Sequence, residues 1–214
     1  MSAADHDLDR AERWQVRIPL ASARPPADRM LEIWHGWIRD RTLPELLVDV
    51  VSYEHVHEGP GIVLVGHESD YYLDRVGPHG GLVHFRKRGG PRDGAASRLL
   101  DAAAKAFDVA LRLRQDSRLP ELAFDTTRLT VRVPDRLHAP VHAASRGALV
   151  EVLQSVAQHL YAGIDMRVEA NGDERQPLAA TLVAAADPGL ESLLHRARAA
   201  PGDSAAPPTT TPAT

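Results

Sequence analysis

The chain contains no cysteine, and that one absence removes disulfides, thiolate metal ligands, iron–sulfur clusters and cysteine nucleophiles. It has no excess of positive charge either: the formal net charge is −4 and the pI near 6.2. General nucleic-acid binding needs clustered Lys and Arg to neutralise phosphates, so this balance argues against it. Aromatic residues make up only 5% of the chain, which predicts an aliphatic core. No apolar run approaches the roughly 20 residues of a membrane-spanning helix, so no membrane partner is expected. The opening Met-Ser-Ala-Ala-Asp-His-Asp lacks a basic segment leading into an apolar one, and cytoplasmic residence is the expectation.

What is present suits an ordinary globular protein: 43% hydrophobic and 25% charged residues in a chain of 214, long enough to bury roughly 70% of its unfolded surface. Trp14 to Leu20 alternate as a half-buried strand. Met30, Ile33, Trp34, Trp37 and Ile38 recur at helical spacing, predicting a helix that Thr42-Leu43-Pro44 closes. Its Trp34 and Trp37 read as core, with His35 turned outward.

Three strands then follow, at Leu46–His57, Gly61–Asp74 and Gly81–Arg88. Glu58-Gly59-Pro60-Gly61 and Gly77-Pro78-His79-Gly80 read as turns, so these strands should form an antiparallel meander. A helix from Gly94 to about Ser117, a strand at Arg128–Pro134, a helix from Ala143 to Tyr161, strands at Asp165–Ala170 and Pro177–Ala184, and a short helix at Gly189–Arg198 complete the pattern. The fold class is α+β: a mainly antiparallel sheet covered by three main helices, with pseudo-duplicated βαββ units suggested by the order of elements. The domain should run over residues 14–198, with halves at 14–118 and 119–198, between a flexible leader at 1–13 and a disordered Ala/Pro/Thr tail at 199–214.

Chemistry concentrates between Tyr53 and His84. Five histidines fall between His55 and His84, and no Lys or Arg interrupts residues 53–74. On a strand, His55 and His57 share one face, half of a zinc-type site. Register decides the rest. A four-residue loop pairs His57 with Ile62 and leaves Glu68 on the order of 13 Å from His55, whereas a three-residue loop, Glu58 to Pro60, with a bulge pairs His55 with Val65 and brings His67 within roughly 7 Å.

Two readings compete. One is a non-enzymatic binding or assembly protein, with a protein partner or self-association, using a hairpin face of Tyr53, His55, His57, Glu68 and Tyr72. The alternative is a metal-dependent, hydrolase-type enzyme in which His55, His57 and His67 hold a divalent metal such as zinc and Glu68 or Asp70 acts as base. No other cofactor is implied. Gly-His-Glu-Ser-Asp at 66–70 resembles a serine hydrolase motif, but adjacent strand residues point to opposite faces and the Gly-x-Ser-x-Gly elbow is missing. Glu58-Gly59-Pro60-Gly61 lacks the lysine of a phosphate loop and opens into a strand. His84, Arg86, Lys87, Arg88 and Arg92 read as a solvated strand end and turn.

Leu47-Val48-Asp49-Val50-Val51-Ser52-Tyr53-Glu54-His55-Val56-His57-Glu58-Gly59-Pro60-Gly61, Gly66-His67-Glu68, Tyr72-Leu73-Asp74 and Val133-Pro134-Asp135-Arg136-Leu137-His138-Ala139-Pro140 resemble segments of a family of uncharacterised bacterial proteins. The resemblance extends over most of residues 14–185 and implies a bacterial, cytoplasmic setting. It implies no reaction.

Overall fold

The structure, a computed structural model, describes residues 8–171 and 175–199. Its elements follow in the order β1 (Trp14–Pro19), α1 (Ala27–Asp40), β2 (Leu47–Ser52), β3 (Ile62–Gly66), β4 (Ser69–Asp74), β5 (Gly81–Arg86), α2 (Ala95–Gln115), β6 (Arg128–Val133), α3 (Ala143–Leu160), β7 (Met166–Ala170), β8 (Leu178–Ala184) and α4 (Leu190–Arg198). All eight strands join one antiparallel sheet in the order β2-β3-β4-β5-β1-β6-β8-β7. The fold is α+β.

Period-two alternation decides which sheet face is buried. One row crosses from Val50 through Leu64, Tyr71, His84, Val16 and Val131 to Ala180. It belongs to a single core that also takes in Ile33 and Trp34 of α1, Leu99 and Phe107 of α2, Leu149 and Leu153 of α3, and Leu193 of α4. All four helices therefore lie on that side. The opposite row, with Val63, Tyr72, Val83, Arg17, Thr130 and Thr181, has no helix over it among the described residues.

The two βαββ orders are present on either side of the adjacent β1–β6 pair. In each half the last strand returns beside the first, β5 beside β1 and β8 beside β6, and a helix follows. The first half carries two more strands than the second. Helix α1 ends where Arg41 takes the left-handed conformation at φ 50°, with the Thr42 N–H donating to Trp37 O over 3.0 Å. Trp34 and Trp37 are buried in an edge-to-face pair with centroids 4.9 Å apart, and His35 is exposed.

Three expectations need correction. The strand expected over Leu46–His57 stops at Ser52, and residues 53–61 form a nine-residue loop between the Ser52–Ile62 pair. The strand expected over Gly61–Asp74 is two strands, because His67 and Glu68 turn the chain back tightly enough to pair Val65 with Asp70. Residues 8–13, expected within the flexible leader, are packed: Leu8 and Ala11 are buried, and Asp9 Oδ1 accepts from the Ala95 N–H at 2.7 Å. Residues 1–7, the tail from 200 onward and Gly172-Asp173 of the last expected turn lie outside the described residues.

No helix among the described residues is long and apolar enough to cross a membrane. Phe107 of α2 is fully buried in the shared core. Phe107→Ala should lower the unfolding free energy by about 3–5 kcal/mol, read as a shift of the urea midpoint with an unchanged m-value.

Candidate functional site

The histidine hairpin is not a site of the kind expected. His55 and His57 sit on the 53–61 loop, both exposed, so neither proposed loop length applies and the two do not share a strand face. His67 sits in the turn at the far end of β3, whose five residues separate it from that loop by about 16 Å. Among the described residues no three His, Asp or Glu side chains assemble as a metal ligand set.

The other named residues scatter as well. Tyr72 lies on the helix-free sheet face, while Glu68 lies at the helix side, 3.1 Å from Lys105 Nζ and 3.7 Å from Arg86 Nη1. Lys105's hydrogen bond and charge hold the Glu68 carboxyl below the usual range. Asp70 faces the other way, 2.6 Å from Lys87 Nζ. Ser69 is fully buried and its N–H donates to Glu45 Oε2 at 3.0 Å, so His67, Ser69 and Asp70 point to three different surroundings.

The structure instead brings together a charged cluster beneath α2, from residues expected to be solvated. His84 and Arg86 alternate with Leu82 on the buried side of β5, opposite Val16 and Trp14 of β1. Arg86 pairs with Asp101 of α2 and lies close to Glu68 of the β3–β4 turn. Gly90, at φ 99°, lets the following turn pass over the guanidinium, since a Cβ there would stand 3.1 Å from Nη1. Burial lowers the Arg86 pKa and Glu68 counters it, as expected for a desolvated guanidinium that keeps its charge by pairing.

Tyr71, next in the buried row, donates a short hydrogen bond to Glu45. Burial first, then Glu45, pushes its phenol well above the ordinary value. Gly66 is required there, because a Cβ would come within 2.6 Å of Glu45 Oε2 and of Ser69 O. The His84 ring packs against Tyr71 with centroids 5.2 Å apart, and neither of its nitrogens has a hydrogen-bond partner among the described residues. Burial, with Arg86 and Lys105 adding to it, drives His84 well below the usual imidazole range. A small cavity of about 190 Å³, lined by Glu45, Tyr71, Asp101, Lys105 and Asp108, opens beside the cluster.

Every carboxylate of the cluster is already engaged by a cation, hydroxyl or backbone N–H of the chain. With a neutral His84 beneath, that arrangement locks α2 to the sheet and the β3–β4 turn. No sequence signal marks it apart from the spacing Leu82-x-His84-x-Arg86, which puts all three on one face.

A two-layer α+β sandwich with one bare sheet face and a buried ionic hub is the class defined by this geometry. No protein-family model matches the chain, and no curated protein matches it.

Two predictions follow from the cluster. Asp101→Ala, which removes one of the two acids paired with a buried guanidinium, should cost about 3 kcal/mol, and Arg86→Met should cost less; urea midpoints of the two variants check the order. Because the folded pKa of His84 lies below the unfolded value near 6.5, its contribution is complete above that pH. Stability should then fall by up to about 1.4 kcal/mol per pH unit as the pH drops below it. In His84→Leu that component should be absent when denaturation is compared at successive pH values between neutrality and mild acid.

Proposed function

We propose that the protein is a non-enzymatic binding protein whose working surface is the free edge strand β2 and the start of the loop that follows. The carrying observation is an uneven distribution of exposed apolar side chains. Of the six large hydrophobic residues exposed among the described residues, Leu46 (69%), Val48 (58%), Tyr53 and Val56 fall within eleven consecutive positions. Strand β2 is the outermost strand on its side of the sheet, so one row of its backbone groups has no partner strand among the described residues. Edge strands are normally protected by Lys, Pro or a covering element. Here β2 carries neither residue, and its one irregularity is a bulge between Leu47 and Asp49.

An extended polypeptide segment adding as a further strand meets both needs at once, pairing the backbone and covering the apolar side chains. Charge favours a basic segment. From Thr42 to Asp74 there are seven acidic residues and no Lys or Arg. Five of them are engaged within the chain: Glu45, Glu54, Glu68, Asp70 and Asp74. Asp49 and Glu58 are exposed and make no ion pair among the described residues. A second copy docked edge to edge would bring this acidic stretch against itself, which disfavours self-association. His55 and His57 keep a place in this reading as exposed polar groups of the same loop. The resemblance of residues 47–61 to bacterial proteins supports a bacterial setting for the partner.

The reading is tested with two capped peptides, one alternating Lys with Val and the other Glu with Val, titrated into isotopically labelled protein. The basic peptide should shift the amides of residues 46–58 to saturation and bind about tenfold more weakly to Val48→Lys; the acidic one should leave these amides in place. Equal binding by Val48→Lys, no change at 46–58, or a dimer in sedimentation that Val48→Lys dissolves would overturn it.

A further inference from the structure

We infer that the helix-free face of the sheet holds a second, independent site, a trough that binds a monocarboxylate through Arg132. The trough has a volume of about 710 Å³ and crosses the bare face from Glu58-Gly59-Pro60 and Val76 at one end to Arg132 and Gln176 at the other, with Tyr72 between. That volume lies in the range of small-molecule sites, roughly 300–1,000 Å³. The trough is also walled by the chain itself: the 58–60 segment, where Glu58 is held left-handed at φ 56° and Pro60 stiffens the backbone, stands against the sheet.

Arg132 supplies the recognition chemistry. It projects from β6, which lies between β1 and β8, opposite Gln15 of β1, and it is half-buried. Several cations of the same face are matched, while Arg128 of the same row is exposed to solvent. Arg17 forks onto Asp74 with hydrogen bonds of 2.7 and 3.1 Å, Arg75 pairs with Glu54, Lys87 with Asp70, and Arg167 with Glu169. The Arg132 backbone is paired with β1 and β8, and its guanidinium makes no ion pair or hydrogen bond among the described residues. A partly desolvated guanidinium with its planar fork free is shaped for bidentate pairing with a carboxylate.

Two further features narrow the ligand class. Tyr72 is raised to about 12, chiefly by burial and by Asp74, so its hydroxyl stays protonated and is available as a donor near Arg132. The ring beside it, with Pro60 and Val76, offers an apolar wall for a flat or aliphatic body. Glu58 and the Arg17-bound Asp74 also line the trough. One free guanidinium against these acids suits a single negative charge and disfavours a phosphate dianion. The carboxylate has two sources, a free small organic acid or the C-terminus of a polypeptide.

The test uses sodium benzoate, its neutral analogue benzamide, phenyl phosphate, and a tetrapeptide with either a free or an amidated C-terminus, each titrated into the labelled full chain. Benzoate should saturate shifts of the Arg132 Nε–H and of the 58–60 and 72 amides, with benzamide inert and phenyl phosphate weaker. Arg132→Lys should weaken binding about tenfold and Arg132→Gln abolish it, with amide spectra elsewhere unchanged. Binding by the free-ended peptide but not by benzoate would assign the site to chain termini. Absence of saturation by benzoate and by the free-ended peptide alike, shifts mapping away from the trough, or equal affinity in Arg132→Gln would overturn the inference. Val48→Lys leaves this site untouched, so its failure and that of the edge-strand reading are distinguishable.

Discussion

A guanidinium with almost no contact with water sits at the end of β5, and the rest of the structure is arranged around keeping it charged. Arg86 faces the helix side of the sheet, in the row that on neighbouring strands holds Trp14 and Ser69. An unpaired charge there would cost several kcal/mol, which is a large share of the stability of a domain this size. Asp101 must therefore come down from α2 and Glu68 must come in from the β3–β4 turn. Those two demands tie the crossing of α2 and the position of the β3–β4 turn to the same guanidinium. Lys105 completes the arrangement by holding Glu68 from the helix.

The same requirement disposes of much of the chain's acidic middle. Glu45 is taken by Tyr71 and the Ser69 N–H, Glu68 by Lys105 and Arg86, Asp70 by Lys87 and Asp74 by Arg17. The residues richest in chemistry by composition are thus spent on architecture. Apart from the buried His84 ring, two surfaces remain without partners: the apolar edge of β2, with Asp49 and Glu58 nearby, and Arg132 on the bare face. Both surfaces belong to the sheet, one to its edge and one to the side the helices leave open.

Most of the element order was legible because each element repeats its apolar residues at its own period. Trp34 and Trp37 announced the buried side of α1, and Leu129, Val131 and Val133 that of β6. Two boundaries were not. The alternation of Val51, Tyr53, His55 and His57 imitates a strand, but Val56 and Gly59 N–H groups bond back to Tyr53 O and Val56 O, so the segment curls into turns. Gly66-His67-Glu68-Ser69 lacks the Gly-Pro signature of a turn, and it turns because Glu45 and Leu46 capture its backbone N–H groups. Arg86 and His84 were misplaced for a different reason. Both rows of β5 are apolar, Leu82 on one and Val83 and Phe85 on the other, so alternation cannot choose a face, and the acid that stabilises Arg86 comes from a helix fifteen positions later. Arg132 escaped notice because an arginine on a solvent-side row is ordinary until its missing partner is seen in three dimensions.

The claim that this guanidinium is buried, charged and bound between Asp101 and Glu68 is tested most directly by nitrogen-detected NMR of the arginine side chains at neutral pH. Arg86 should show separate Nη resonances, with rotation about the Nε–Cζ bond hindered and with protons protected from exchange, and both effects should weaken in Asp101→Ala. A single averaged Nη signal exchanging with water as freely as that of exposed Arg39 would contradict it.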